Sequence, residues 1–244
     1  MTSIYFLSLR QLQGRWRIAA LLVVAAIPLV PAIIAVASSD KPTALDLDDG
    51  LINGILASAV LPILTLVLAT PVFGNELEDK TLSNLTLTPL KRWRIVAPKL
   101  AAPISVAVPL IVLSAVVSVL VAFEGAEIDG AGRSAAATAI GLAIGALLYG
   151  TMFAWLGLFT RRALGIGLLY VFIWEGLFGT FVDGLKYLSV RQYSLSIIRQ
   201  LDPTRFDGSS QTVIGIEAAA VGAGIVLVAF ALLTVRRLRA MDVP

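Results

Sequence analysis

The sequence contains no cysteine and no histidine in its 244 residues. Without cysteine there are no disulfides, thiol nucleophiles or thiolate metal sites. Without histidine the chain lacks the commonest general base and metal ligand. Charged residues are also scarce, at 14%, where soluble domains have about 25%. These absences argue against an enzyme with a soluble catalytic domain.

Apolar residues are what the chain has in excess. Hydrophobic residues make up 58% of the sequence and the mean hydropathy is +0.89, which is typical of an integral membrane protein. A membrane-crossing helix needs about 20 apolar residues. The sequence therefore predicts an all-α integral membrane protein, a single transmembrane domain over residues 1–244 with a six-helix bundle. The predicted spans are 18–37, 51–73, 95–123, 134–160, 163–182 and 212–235.

The first seventeen residues have the pattern of an amphipathic helix lying on the membrane. Tyr5, Leu9, Leu12 and Trp16 recur at helical spacing, while basic and polar residues fall off that stripe. The alternative is a polar tail that leads directly into the first span.

Prolines are unevenly distributed between the two halves of the bundle. The last three predicted spans contain no proline. The first three contain seven prolines: Pro28, Pro31, Pro62, Pro71, Pro98, Pro103 and Pro109. Proline frees a backbone carbonyl and permits bending of a membrane helix. We therefore predict that the first three spans are the deformable half, with fixed kinks as the alternative.

The fourth predicted span has glycines spaced four residues apart, at Gly141 and Gly145. Such a pair forms a small-residue face that lets another helix approach closely. The face serves packing within one subunit or, alternatively, contact between two subunits.

The most highly charged stretch lies between the second and third spans, over residues 74–100. Asn75 is predicted to cap a helix there, because Glu78 follows at capping-box spacing. Thr88 precedes Pro89, which disfavours helical angles, so the predicted helix covers residues 75–88. A solvent-facing helix between two membrane helices is predicted to be a docking surface, and an ordinary solvated loop is the alternative.

Basic residues predict the orientation of the bundle. With the N-terminus in the cytoplasm, thirteen of the nineteen basic residues are cytoplasmic, as the positive-inside rule requires. Both termini and the charged segment 75–88 are then cytoplasmic. The six remaining basic residues are external: Lys41, Arg133, Lys186, Arg191, Arg199 and Arg205. This distribution accounts for the net charge of +3 without nucleic acid as a partner.

The charged segment also carries a resemblance. From Glu76 to Arg92 it reads EXEDKTLXXLXLTPXKR with X for the varying positions, and this resembles the segment between spans 2 and 3 of type-2 ABC exporter permeases. There it is the cytoplasmic coupling helix, which inserts into a cleft on a separate ATPase subunit. The resemblance implies ATPase binding through the acidic residues and packing through two leucines: Glu76, Glu78, Asp79, Leu82 and Leu85.

The resemblance further implies the transmembrane subunit of an ATP-driven exporter in the cytoplasmic membrane, working by alternating access. The expected partners are two ABC ATPase subunits, a second copy of the chain or a sister permease, and membrane lipids. No cofactor is expected on this chain, since ATP and Mg would bind the ATPase. An ATP-independent channel or secondary transporter is the alternative. A membrane-embedded hydrolase is a third class, although no matching catalytic spacing is present.

Glu175, next to Trp174, is the one carboxylate predicted deep within a span. Counting about 1.5 Å per residue from Arg162 places it roughly 20 Å into the hydrocarbon. Acids at such depth face a cavity or a partner. Glu175 is therefore a candidate for translocation or gating, with a structural hydrogen bond as the alternative. The residues around it, and Leu185 to Ser189, resemble permeases in which short external helices partly re-enter the membrane between spans 5 and 6.

Overall fold

The computed structural model describes residues 2–12, 14–78, 92–178, 187–203 and 214–240. Within these ranges the regular structure is helical, with no strand, so the predicted all-α class is confirmed. We number the α-helices α1 to α11 and name the two π-helices separately. The helices of the first half are α1 Thr2–Leu12, α2 Arg15–Ala26, α3 Leu29–Ala37, α4 Ala44–Leu47, the first π-helix Asp48–Val60, α5 Leu61–Ala69 and α6 Pro71–Glu78. Those of the second half are α7 Trp93–Gly125, α8 Ala131–Phe159, α9 Ala163–Leu169, the second π-helix Tyr170–Phe178, α10 Val190–Leu201 and α11 Ile216–Ala240.

Five of the described helices are long and apolar enough to cross a membrane. These five segments, some of which join several of the numbered helices, are Arg15–Ala37, Ala44–Leu77, Trp93–Gly125, Ala131–Phe159 and Ile216–Ala240. Each overlaps a predicted span, and several extend beyond it. The helix at the predicted span 163–182 is a shorter apolar segment, Ala163–Gly176. Residues 179–186 lie outside the described ranges, so the count of six spans stays a prediction.

The bundle has two ends, which we call the terminal face and the far face. At the terminal face α2 begins and α11 ends, and the guanidinium of Arg237 lies 5.5 Å from the ring centroid of Phe159 at the end of α8. At the far face α7 ends, where Lys41 Nζ donates a 2.6 Å hydrogen bond to the carbonyl of Gly125.

The N-terminal helix ends earlier than predicted. α1 stops at Leu12, and Gly14 has extended angles before α2 begins. Tyr5 donates a 2.8 Å hydrogen bond to Ser105 Oγ on α7, and Leu12 is buried. Trp16, predicted to share that apolar stripe, is 90% exposed because it belongs to α2. The single helix predicted over 1–17 is therefore wrong.

The second span is built from several helical pieces between Ala44 and Glu78. Thr43 and Asp46 form a reciprocal capping box at its start. A π-helical stretch follows, and Pro62 and Pro71 sit at the starts of α5 and α6. Proline suits the first turn of a helix, where its missing N–H needs no partner. In contrast, α7 runs without a break through its three prolines.

Helix α8 lies at the centre of the bundle and packs against α5, α7, α10 and α11. Its glycine face is used within the subunit. A Cβ on Gly141 would stand 2.7 Å from the backbone oxygen of Ser194, and one on Gly145 would meet Ser194 Oγ and stand 2.7 Å from Leu61 Cδ2. Gly141 and Gly145 thus let α10 and α5 approach the backbone of α8.

Helix α10 runs back along α8 from the bundle interior to the far face. Ser194 contacts Gly145, while Asp202, just past the end of α10, accepts a 2.5 Å hydrogen bond from Ser134 near the start of α8. Gly145 lies fourteen residues into α8, or roughly 21 Å at about 1.5 Å per residue. Although polar in sequence, α10 is largely buried. The chain between the last two apolar segments therefore re-enters the bundle.

Gly141→Ala is expected to destabilise the protein by about 1–3 kcal/mol, because the added methyl group overpacks the contact with the α10 backbone. Gly132→Ala is the matched control, since a Cβ there meets nothing within 4 Å. Thermal unfolding of both purified variants measures the difference. Equal stability of the two would contradict the close approach of α10.

Candidate functional site

The second span ends at the terminal face in an acidic turn that is tied to the third span. The Lys99 ammonium on α7 forms an ion pair with Glu76 on α6. The same Nζ donates a 3.1 Å hydrogen bond to the carbonyl oxygen of Val72 and lies 5.0 Å from the ring centroid of Phe73. Lys99 is only 2% exposed. All these partners lie on α6, so one lysine clamps α6 to α7.

This clamp gives Glu76 a partner that the sequence analysis did not foresee. Glu76 was predicted to bind an ATPase, and its side chain is 12% exposed beside Lys99. A buried ion pair is costly to open, because each charge left without its partner remains in a low-dielectric site. Glu76 is therefore positioned to connect the acidic segment mechanically to the third span.

The predicted N-cap at Asn75 is wrong. α6 is helical from Pro71 to Glu78 without interruption, so Asn75 lies inside the helix that ends the second span. The helix starts earlier because Pro71 supplies its first turn and apolar Val72 and Phe73 pack into the core. Asp79, Leu82, Leu85 and the side chain of Glu78 lie outside the described residues, as does the rest of the predicted coupling helix 75–88.

The opposite end of the second span has a buried ion pair of its own. Arg199 on α10 donates a 2.8 Å hydrogen bond to Asp48 at the start of the first π-helix. Their side chains are 4% and 1% exposed. Asp49 lies 3.9 Å from the same guanidinium nitrogen but is exposed. The second span is thus anchored at both faces, to α10 at the far face and to α7 at the terminal face.

Glu175 lies in the second π-helix and is 1% exposed. Its carboxylate accepts hydrogen bonds from the Tyr170 hydroxyl at 3.1 Å, the Ser189 hydroxyl and the backbone N–H of Val190 at 3.1 Å. Ser189 is the N-cap of α10, where a negative charge is favoured by the helix dipole. The carboxylate therefore joins the short apolar segment to the start of the re-entrant helix. This arrangement favours the structural alternative for Glu175.

Glu175→Gln is expected to lower the free energy of unfolding by about 1–3 kcal/mol, because an amide offers one acceptor oxygen to donors that now share two. Glu217→Gln is the control, since Glu217 is an exposed residue in the first turn of α11. Thermal unfolding measures both. A Glu175→Gln protein that is as stable as the control but inactive in transport would instead identify a translocation residue.

The two buried ion pairs were not predicted from the sequence. Lys99 falls within the charged stretch 74–100, although apolar neighbours surround it from Ile95 to Leu100. A lone lysine in such a run is a signal for a buried partner. Arg199 was predicted to be external, but nothing in the local sequence linked it to Asp48, which is 151 positions away.

Among the residues that the structure describes, no group of three or more acidic residues is placed to hold a metal ion. The buried Lys99 and Arg199 instead form ion pairs across helices, with Glu76 and Asp48. Such pairs resist sliding of one helix past another, so the second span is linked to its neighbours at both faces.

Comparison with known proteins places this bundle in a family. No curated protein matches the chain. A sequence model of the family described as ABC-2 family transporter protein matches residues 7–175, which is more than half of the 244 residues. The matched region extends from α1 to Glu175 and includes both anchored ends of the second span. The chain therefore belongs to the ABC-2 family transporter proteins, as the permease of an ABC transporter.

Proposed function

We propose that this permease is the transmembrane subunit of an ATP-driven exporter, working by alternating access with ATP and Mg bound to separate ATPase subunits. The observation that carries the proposal is the second span, which is anchored by a buried ion pair at each face and leads directly into the acidic segment. Force applied to that segment would reach both α7 and α10 through these anchors. This chain then supplies movement while its partner supplies hydrolysis.

In the proposed mechanism, the ATPase contacts the coupling segment through Glu78, Asp79, Leu82 and Leu85. Acidic groups would pair with basic residues on the ATPase, and the two leucines would fill its cleft. Glu76, which the resemblance also assigns to this surface, transmits the displacement to Lys99. Discrete rearrangements of packed helices, rather than continuous deformation, then switch the exposure of the pathway.

The proposed assembly contains two such bundles and two ATPases. A pathway between bundles needs a second copy of this chain or a sister permease, because the described spans form one packed core. The protein is proposed to lie in the cytoplasmic membrane with the terminal face in the cytoplasm. Arg17, Arg94, Arg162 and Arg237 all belong to that face, in agreement with the positive-inside rule.

Co-purification tests the proposed ATPase contact. The amount of ATPase that co-purifies with the double variant Leu82→Asp/Leu85→Asp should fall by about tenfold or more relative to the wild type. The reason is that replacing a hot-spot residue costs about 2 kcal/mol or more of binding free energy. Leu45→Asp is the control, since Leu45 is an exposed leucine near the far face. Equal retention of the ATPase by both variants, or transport without any ATPase, would contradict the proposal.

A further inference from the structure

A cavity of about 420 Å³ opens at the terminal face between three separate parts of the chain. Arg17 comes from the start of α2, Asn75 from the end of the second span, and Arg161 and Arg162 from the turn between α8 and α9. The volume falls within the range of ligand sites, which is about 300–1,000 Å³. Three arginines thus line one cavity.

The charge of this cavity is not balanced by the residues described around it. No carboxylate is among its lining residues. The described ion pairs use Lys99, Arg133 and Arg199, and none of them uses an arginine of the cavity. Arg17 makes a 3.3 Å hydrogen bond to the carbonyl oxygen of Gln11, which leaves its charge uncompensated. The cavity therefore selects an anion, and guanidinium groups bind phosphate with good geometry.

The surroundings place this anion site at the level of lipid headgroups. Trp16, which precedes Arg17, is 90% exposed, and Phe159, two residues before Arg161, is 53% exposed. Exposed aromatic rings next to arginines mark the boundary between hydrocarbon and headgroups. Leu164 lines the cavity and begins an exposed apolar face that continues through Leu168 and Phe172. An acyl chain can lie along this face while a phosphate occupies the cavity.

We propose that this cavity binds the phosphate of an anionic phospholipid from the leaflet at the terminal face. Basic pockets between membrane helices bind such headgroups. A free phosphate ion would use the arginines but not the apolar face of Leu164, so the two sources are distinguishable. The bound lipid would lie against Gly74 and Asn75, the two residues immediately before Glu76 of the clamp. The site does not depend on the proposed ATPase.

Lipid titration into the purified full chain tests this site. Phosphatidylglycerol is added in zwitterionic micelles, and native mass spectrometry measures how much is retained. Arg161→Gln/Arg162→Gln should bind it about 30-fold more weakly, because each basic residue near an anionic surface contributes about a factor of five. Arg236→Gln/Arg239→Gln is the control, since it removes the same charge from exposed residues at the same face. Equal weakening in both double variants would overturn the proposal.

A variant that fills the cavity tests the site without changing charge. Gly165 lines the cavity, and a Cβ there meets nothing within 4 Å. Gly165→Leu should therefore fold and lose lipid, whereas Gly224→Leu, at a similarly open position on α11, should retain it. Full retention by Gly165→Leu would overturn the proposal even if the arginine variant fails to fold. Displacement of the lipid by inorganic phosphate at equal concentration would also overturn it, by identifying a site for the free ion.

Discussion

Lys99→Met is expected to lower the free energy of unfolding by about 3–5 kcal/mol, because it leaves the Glu76 carboxylate in a buried site without its partner. The substitution also removes the hydrogen bond to the Val72 carbonyl and the contact with the Phe73 ring. Thermal unfolding of the purified variant measures the loss. Since α6 would no longer be clamped to α7, ATP-dependent transport should fall as well.

Two further variants isolate the ion pair in this experiment. Lys99→Met/Glu76→Gln should recover much of the stability, because neutral groups replace both buried charges. Lys41→Met should cost about 1 kcal/mol or less, since Lys41 is exposed and, among the described residues, donates hydrogen bonds to the carbonyl groups of Val36 and Gly125. If the double variant is as unstable as Lys99→Met, the clamp is not electrostatic. If Lys99→Met/Glu76→Gln regains stability but does not transport, the Lys99–Glu76 ion pair is needed for coupling to the ATPase as well as for folding.

Arg199→Met is expected to cost a similar amount, about 3–5 kcal/mol, because Asp48 is 1% exposed and would lose its buried partner. The loss should detach the end of α10 from the start of the second span. Chemical or thermal unfolding monitored by circular dichroism measures the change. Arg199→Met/Asp48→Asn should be more stable than Arg199→Met.

The far face offers its own control for this effect. Arg133 lies 3.4 Å from Asp202, but its side chain is 58% exposed. Although the side chain of Asp202 is 1% exposed, it keeps its hydrogen bond from Ser134 when Arg133 is removed. Arg133→Met should therefore cost clearly less than Arg199→Met, because water screens the exposed guanidinium. A loss as large as that of Arg199→Met would show that burial does not distinguish the two arginines.

The positions of the helices could be predicted from sequence because length and hydropathy are local properties. The run from residue 95 to 123 is apolar throughout, and α7 extends it by only two residues at either end. Gly141 and Gly145 predicted a close helix approach, and the structure identifies α10 and α5 as the elements that use it. The family resemblance also came from one continuous stretch, and the family match confirms it.

Features that depend on distant residues could not be predicted in the same way. Helical spacing placed Trp16 on the stripe of Tyr5, but the break at Gly14 separates them. Capping-box spacing at Asn75 and Glu78 was outweighed by Pro71 and the buried residues that follow it. The partner of Lys99 became visible only when α6 and α7 were placed side by side.

The burial of α10 against α8 gives detail to the helices that the resemblance predicted to re-enter the membrane between spans 5 and 6. The helix is observed from Val190 to Leu201. Nothing local indicated that Arg199 would be buried, because arginine is ordinarily exposed. The ion pair with Asp48 offsets the desolvation cost of burying Arg199.

The central claim is that the acidic segment after the second span lies in the cytoplasm and docks onto an ATPase. The chain has no cysteine, so Ser83→Cys provides a label position without background, and Ser39→Cys, near the far face, provides its counterpart. Labelling by a membrane-impermeant maleimide should modify Ser83→Cys only in inside-out vesicles, and added ATPase should protect it. Modification of Ser83→Cys from outside, or labelling that the ATPase leaves unchanged, would contradict the claim.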